Sequence, residues 1–414
     1  MKWPWTYPLL VVGMGKSARS FLRLLESAGA KRKKDFYCYD DDKSLSDFEC
    51  SPADFVKNNK IKVLVLSPGY PLKTAWIQEV KDKLRVENQM TLLLPLLKQQ
   101  EVISVTGSVG KSTVVTAIHN SLEQAGFKSF LAGNIGTPLS EFFLEKNNSD
   151  YQKVVLEFSS YQLELKASFH SNYSVFTPFM PNHMDRYSSL EEYYRVKSSL
   201  AAVSGKIISH ENNRSFLEFL SEDELAKVHF TKEWKGLSRI TGVHNIQNLS
   251  LAKKLGELAA WPESYFESLK NFRGLPHRLE AIPVTKIAAA YNDSKSTTVN
   301  GVLVSLKEVL KKETAKVYCL VGGKDKNHDW SPLKKVEEKR LHWIPFGASS
   351  SLLKDLLSSE ESFSNLSEAL SYLQSTLQPS DVLLLSPGGA SQDEFISFEE
   401  RGNFFKKQVR LLWS

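Results

Sequence analysis

The run Glu101-Val-Ile-Ser-Val-Thr-Gly-Ser-Val-Gly-Lys-Ser-Thr113 restricts what this chain can fold into more than any other stretch. Its first five residues are rich in β-branched side chains and predict a buried strand. Gly107-Ser-Val-Gly110 predicts a loop, and Lys111 to Ala125 a helix ended by Gly126. Glycines let backbone N–H groups turn inward on an anion, and the start of a helix adds partial positive charge. Lys111 would reach the outer phosphates and the Ser112 hydroxyl would ligand Mg²⁺. Position 105 is Val, so the spacing is G-x-x-G-K-S, shorter than the usual G-x-x-x-x-G-K-S. The bland alternative is a glycine turn carrying a surface lysine. The strand before it and the helix after it favour a nucleotide triphosphate site, with ATP as the expected ligand.

Strand and helix patterns alternate along all 414 residues, which predicts α/β layers around mostly parallel sheets. Leu9 to Val12, Phe36 to Asp40 and Ile61 to Leu66 read as strands of a first unit that ends near Leu97. The second unit holds the phosphate loop, strands at Val154 to Leu156 and Ser174 to Phe176, and a helix from about Leu190 to Ala202. A polar, irregular region follows at about 211–240, then a helix from near Asn245. The Gly274-Leu-Pro-His277 turn opens a third unit with strands at Ile287 to Ala290, Val317 to Val321 and Val382 to Leu385. The expected domains are therefore 1–97, 98–275 and 276–414.

The net charge of +6, from 53 basic and 47 acidic residues, is too slight and too scattered to form the stripe that nucleic-acid binding needs. Cys38, Cys50 and Cys319 form neither a disulfide framework nor a zinc pattern. They fit a reducing compartment. The first ten residues lack a signal-peptide layout, and no run approaches the roughly 20 apolar residues of a membrane span. A cytoplasmic protein without membrane insertion is expected.

Other constellations sit where predicted strands end, the edge at which α/β folds bind ligands. Gly13-Met-Gly15-Lys-Ser-Ala18, with Asp40, Asp41 and Asp42 after the next strand, fits a dinucleotide cradle or that of any nucleotide diphosphate. Glu157, beside Ser159 and Ser160, is either a Mg²⁺ ligand or a helix-capping acid. Asn182-His-Met-Asp-Arg-Tyr187 offers His183 as a metal ligand and Arg186 as a fork for phosphate or carboxylate; a structural histidine is the alternative. The amides of Asn245 and Asn248 could read an adenine edge or cap a helix. His277-Arg278, Asp293 to Thr297, Gly322 to Lys326 and Ser386 to Ser391 complete a polar rim.

These blocks, in this order, resemble the Mur ligases of peptidoglycan synthesis over nearly the whole chain, from Gly13 to Phe405. The resemblance rests on Thr-Gly-x-x-Gly-Lys-Ser-Thr, Ala-Gly-Asn-Ile-Gly (132–136), Glu-x-Ser-Ser-Tyr-Gln-Leu-Glu, His-Met-Asp-Arg-Tyr and Pro-His-Arg-x-Glu (276–280). Asp-Ser-Lys-Ser-Thr, Gly-Gly-Lys-Asp-Lys-Asn-His-Asp (322–329) and Phe-Glu-Glu-Arg-Gly-Asn-x-Phe (398–405) resemble the D-glutamate-adding branch. A Rossmann-like first domain, a central P-loop ATPase-type domain and a Rossmann-like third domain are thereby implied.

By that resemblance Gly13, Gly15, Lys16, Ser17 and Asp40 bind the UDP of a sugar nucleotide, not a nicotinamide, with Asn134 and Gly136 nearer its muramoyl end. Gly107, Ser108, Val109, Gly110, Lys111, Ser112 and Thr113 hold ATP, with Asn248, Arg278 and Asp293 closing over it. Ser112, Glu157, His183 and Lys197 would ligand two Mg²⁺ ions, Lys197 as a carbamate. Thr297, Lys326, Ser391 and Phe398 would grip D-glutamate, while Lys111, His183, Lys197 and Arg278 carry the catalytic work. The implied partners are UDP-N-acetylmuramoyl-L-alanine and D-glutamate, bound by a monomer. A folylpolyglutamate synthase-like ligase and a non-catalytic ATP-binding scaffold are the rivals. The sequence departs from the family at Val109, Asn182, Thr298, Asn327 and Gly388-Gly389.

Overall fold

Three parallel-type sheets account for the expected alternation. The computed structural model describes residues 7–165, 168–181, 184, 186–235, 243–325 and 328–414. The first sheet joins β1 (Leu9–Val12), β2 (Phe36–Tyr39), β3 (Val63–Leu66) and β4 (Arg85–Asn88) in the order β2-β1-β3-β4, all parallel. The second joins β5 (Glu101–Thr106), β6 (Ser129–Gly133), β7 (Lys153–Glu157), β8 (Ser171–Phe176), β9 (Ser204–His210) and β10 (Val228–Thr231) in the order β10-β9-β8-β5-β7-β6, again all parallel. The third holds β11 (Glu280–Ile282), β12 (Ala289–Asn292), β13 (Val317–Gly322), β14 (Leu341–Phe346) and β15 (Val382–Gly388) in the order β11-β12-β15-β13-β14. Only β11 runs antiparallel there.

Parallel strands covered on both faces need apolar side chains on both, so they read as unbroken hydrophobic runs. Leu9 to Val12 and Val382 to Leu385 are fully buried. In the third sheet successive residues alternate between two cores. Tyr318, Leu320, Leu383 and Leu385 enter one, and Val317, Cys319, Val382 and Leu384 the other.

The chain divides into two compact units, Met1–Phe272 and Arg273–Ser414. Within the first unit the first two sheets share one hydrophobic core. Leu9, Phe21 and Leu24 belong to the same cluster as Phe130, Leu139 and Phe142. There the helix Lys16–Ser27 meets the helix Leu139–Leu144, with Ser20 and Ser140 hydroxyls 2.5 Å apart and Arg23 paired to Glu141.

Two expectations are corrected. The region read as irregular at 211–240 contains, among its described residues, the short helix Glu222–Leu225 and strand β10, which pairs with β9. Its side chains are only half-buried, so an edge strand carries too little hydrophobic signal to show in sequence. The strand expected at Ile287 to Ala290 lies at Ala289–Asn292, where the register with β15 brings Asn292 opposite Leu385.

Candidate active site

The loop after β5 is built as the glycines require. Gly107 has φ +139° and Gly110 φ +86°, a region that side-chain-bearing residues rarely occupy. Space is as restrictive as the backbone. A Cβ at Gly107 would overlap the Thr177 hydroxyl and lie 2.6 Å from the Thr177 carbonyl oxygen; one at Gly110 would overlap the amide oxygen of Asn248. Asn248, buried in the helix Val243–Leu258, therefore lies directly against the loop.

Ser108 anchors the loop. Its hydroxyl donates to the Met180 carbonyl at 2.7 Å and accepts from the Met180 amide at 2.9 Å and from the Tyr193 hydroxyl at 3.1 Å. Lys111, at the first position of the helix Lys111–Gln124, folds back to donate to the carbonyls of Gly107 (2.9 Å) and Ser108 (3.2 Å). Ser112 and Thr113 complete the first turn, and Val109 stands exposed at the tip.

Lys197 reaches the same carbonyl from another element. From the helix Leu190–Ser198 it donates to Gly107 O at 2.7 Å, with only 1% of its surface exposed. Burial, aided by the Lys111 charge and opposed by Glu157, pushes its pKa from an ordinary 10.5 down to about 6. Glu157, the last residue of β7, is equally buried. Asn134 donates to its Oε1 at 2.7 Å, while Oε2 has no partner among the described residues. A buried carboxylate oxygen with no partner beside a phosphate loop suits a hard cation, so the donor set fits Mg²⁺. Ser159 caps the next short helix reciprocally with Gln162, so capping falls to this serine, not to Glu157. His183 lies outside the described residues.

Arg186, expected to be available to a ligand, grips a carboxylate of the chain itself. Its Nε and an Nη each donate to Glu164 at 2.7 Å, the Tyr187 hydroxyl adds a 2.8 Å bond, and the guanidinium lies 4.0 Å from the centre of the Tyr161 ring.

In the first sheet Gly15 precedes the helix Lys16–Ser27, whose first turn carries exposed Lys16 and half-buried Ser17. The Gly13 amide donates to Tyr39 O, and its carbonyl accepts from Ser67 at 2.6 Å. Asp40 accepts from the amides of Met14 (2.6 Å) and Asp42 (3.0 Å), so its carboxylate shapes the glycine loop. A small cleft nearby is lined by Ser17, Pro68, Gln89, Gly133, Ser140 and Gln162. Asn134 and Gly136 lie just beyond Gly133, both exposed.

In the second unit Arg278 sits exposed in a turn whose neighbours His277 and Leu279 take φ of +62° and +49°. Asp293 holds that turn. It accepts from the Leu279 amide at 3.1 Å, from Ser386 at 3.0 Å and from Ser305. Burial, countered by these bonds, raises its pKa to about 6. Thr297 is half-buried, Ser391 buried, and Lys295 stands 3.9 Å over the ring of Phe398. Lys326 lies outside the described residues.

One buried residue went unassigned in the sequence reading. Arg401, 1% exposed, donates to the carbonyls of Ser294, Gly389 and Ala390 and to the Ser294 hydroxyl, knitting the segments that follow β12 and β15 together. Its place on the buried stripe with Phe405, Val409 and Trp413 of the helix Phe398–Trp413 was the available signal.

The chain is similar to known proteins over most of its length. The family model of the Mur ligase middle domain matches residues 105–238. The UDP-N-acetylmuramoylalanine–D-glutamate ligase of Aquifex aeolicus is 30% identical over 97% of this chain and 98% of its own. The protein of the same description from Buchnera aphidicola is 33% identical over 74% of each. Among solved structures, the UDP-N-acetylmuramate–alanine ligase MurC of Thermotoga maritima superposes with a TM-score of 0.56 at 15% identity, covering 98% of this chain and all of that one. Escherichia coli FolC gives 0.59 at 15% identity over 83% and 99%. These last two bear on the fold alone, and both share it.

Proposed function

The chain belongs to the Mur ligase family, and from that membership we propose that it joins D-glutamate to UDP-N-acetylmuramoyl-L-alanine at the expense of ATP. The observation that carries the reading is the convergence of Lys111 and Lys197 on Gly107 O, with a Glu157 oxygen that has no partner among the described residues. The alanyl carboxylate attacks the γ-phosphorus, the bond to ADP breaks, and an acyl phosphate forms. The D-glutamate amine then adds to the acyl carbon, loses a proton, and the tetrahedral oxyanion collapses to expel phosphate. No side-chain nucleophile is required. Lys111 and the loop amides hold the phosphoryl oxygens as charge builds on the leaving side, where positioned electrostatics supply most of the acceleration.

Bound Mg²⁺ would add countercharge to those oxygens, held by Ser112 and Glu157 at one site and by His183 and a carbamylated Lys197 at the second. The low pKa of Lys197 supports that modification, because the neutral amine is the form that adds to CO₂. Gly13, Gly15, Lys16, Ser17 and Asp40 serve the UDP, with Asp40 acting through the loop it shapes. Asn134 and Gly136 serve the muramoyl end. Gly107–Thr113, Asn248, Arg278 and Asp293 serve ATP, and Thr297, Lys326, Ser391 and Phe398 serve D-glutamate. The roles divide among domains at 1–97, 98–275 and 276–414, in a cytoplasmic monomer.

The test is phosphate release with ATP, Mg²⁺ and UDP-N-acetylmuramoyl-L-alanine, comparing D-glutamate with L-glutamate, L-lysine and diaminopimelate. Release that depends on D-glutamate, with the ligated product seen by mass, is expected. Release supported only by a folate substrate, or by none, overturns the reading.

A further inference from the structure

Arg186 and Glu164 are charged, largely withdrawn from water at 15% and 12% side-chain exposure, and unused in the mechanism above. They belong to two separate segments. Glu164 ends the run that begins with Glu157 at the tip of β7, and Arg186 follows His183 by three positions. Their fork-to-fork pairing, with two bonds of 2.7 Å, fixes both distance and orientation, as a single lysine contact would not. The Tyr187 hydroxyl occupies a further lone pair of Glu164, and the Tyr161 ring covers the guanidinium face. Four side chains thus tie the two segments at one point.

We propose that the Arg186–Glu164 pair is a positioning clamp that sets the chain at Arg186 and Tyr187 against the Glu157 segment, and so tunes divalent-cation binding at the phosphate loop. The proposal rests on the reading of that loop as the ATP site. Arg186 and Glu164 touch no substrate in it. They act through the segments they join, in the way partners behind a metal's direct ligands govern its affinity.

The experiment measures Mn²⁺ binding by electron paramagnetic resonance on the full chain with a non-hydrolysable ATP analogue, and binding of that analogue in EDTA. Variants are Arg186→Ala, Arg186→Lys, Glu164→Gln and the Arg186→Ala/Glu164→Gln double. A clamp predicts Mn²⁺ affinity lowered about 10-fold or more in each single variant. It predicts no rescue by lysine, a double variant no weaker than the worse single, and analogue binding in EDTA within twofold of the parent. Tyr187→Phe, which removes the hydroxyl that bonds Glu164 and no charge, keeps the test open if the charge variants do not fold, and should lower Mn²⁺ affinity measurably. Folded variants that bind Mn²⁺ like the parent overturn the clamp while leaving the site intact. A parent that binds neither analogue nor Mn²⁺ overturns the reading of the loop, and the clamp with it.

Discussion

Lys111 and Lys197 share one carbonyl oxygen yet should fail differently when removed. Lys111→Ala deletes a cation bonded to the loop carbonyls and should lower ADP formation by about 10²- to 10³-fold, checked by coupled assay, with no small molecule restoring it. Lys197→Ala should also lose turnover, but short carboxylic acids should restore part of it by supplying the missing carboxylate-like group; full activity without them would reject the carbamate. Asp293 offers a test of linkage. Its pKa is higher folded, at about 6, than the ordinary 3.8, so the native state binds the extra proton between those values. Its contribution to stability is therefore fully present below pH 3.8 and is lost as pH rises toward 6. Denaturant titrations of the parent and Asp293→Asn should diverge across that window by at most about 1.4 kcal/mol per pH unit, the variant gaining as pH rises.

Among the elements, the strand–loop–helix at 101–124 is the most constrained. Gly107→Ala would force a side chain into a positive-φ position already filled by Thr177, and should cost at least about 1–3 kcal/mol of stability together with nucleotide affinity. Differential scanning calorimetry and a nucleotide titration check it. This element was legible in sequence because its signals are contiguous: β-branched residues, two glycines, then a helical stretch. Strands β1, β2 and β5 were legible for the same reason. What could not be read was partnership across distance. Nothing local says that Asp40 turns to the Met14 amide, that Ser108 meets Met180 and Tyr193, or that Arg186 is taken by Glu164. A motif names residues that can bind a ligand, but the fold decides which of them the protein itself engages. Half-buried β10 was missed because an edge strand needs little apolar character.

For the whole molecule, core continuity decides where the chain can be divided. Each of the units Met1–Phe272 and Arg273–Ser414 keeps its own hydrophobic clusters. Separate expression of 1–272 and 273–414 should yield two cooperatively folded proteins by circular dichroism, the first retaining nucleotide binding and neither showing turnover. A cut after residue 97 should fail, because it exposes the core shared by Phe21, Leu24, Phe130 and Phe142. The parallel order of the six-stranded sheet has a practical consequence. The phosphate loop, Asn134 and Glu157 all leave the carboxyl ends of its strands, so the strand starts carry none of these candidate site residues. Lys128 and Asp150 lie exposed at that silent edge, 3.4 Å apart. With Cys50, the exposed native thiol, replaced by serine, a cysteine at either position gives a single handle for a dye or a solid support at the end of that sheet away from the candidate site residues.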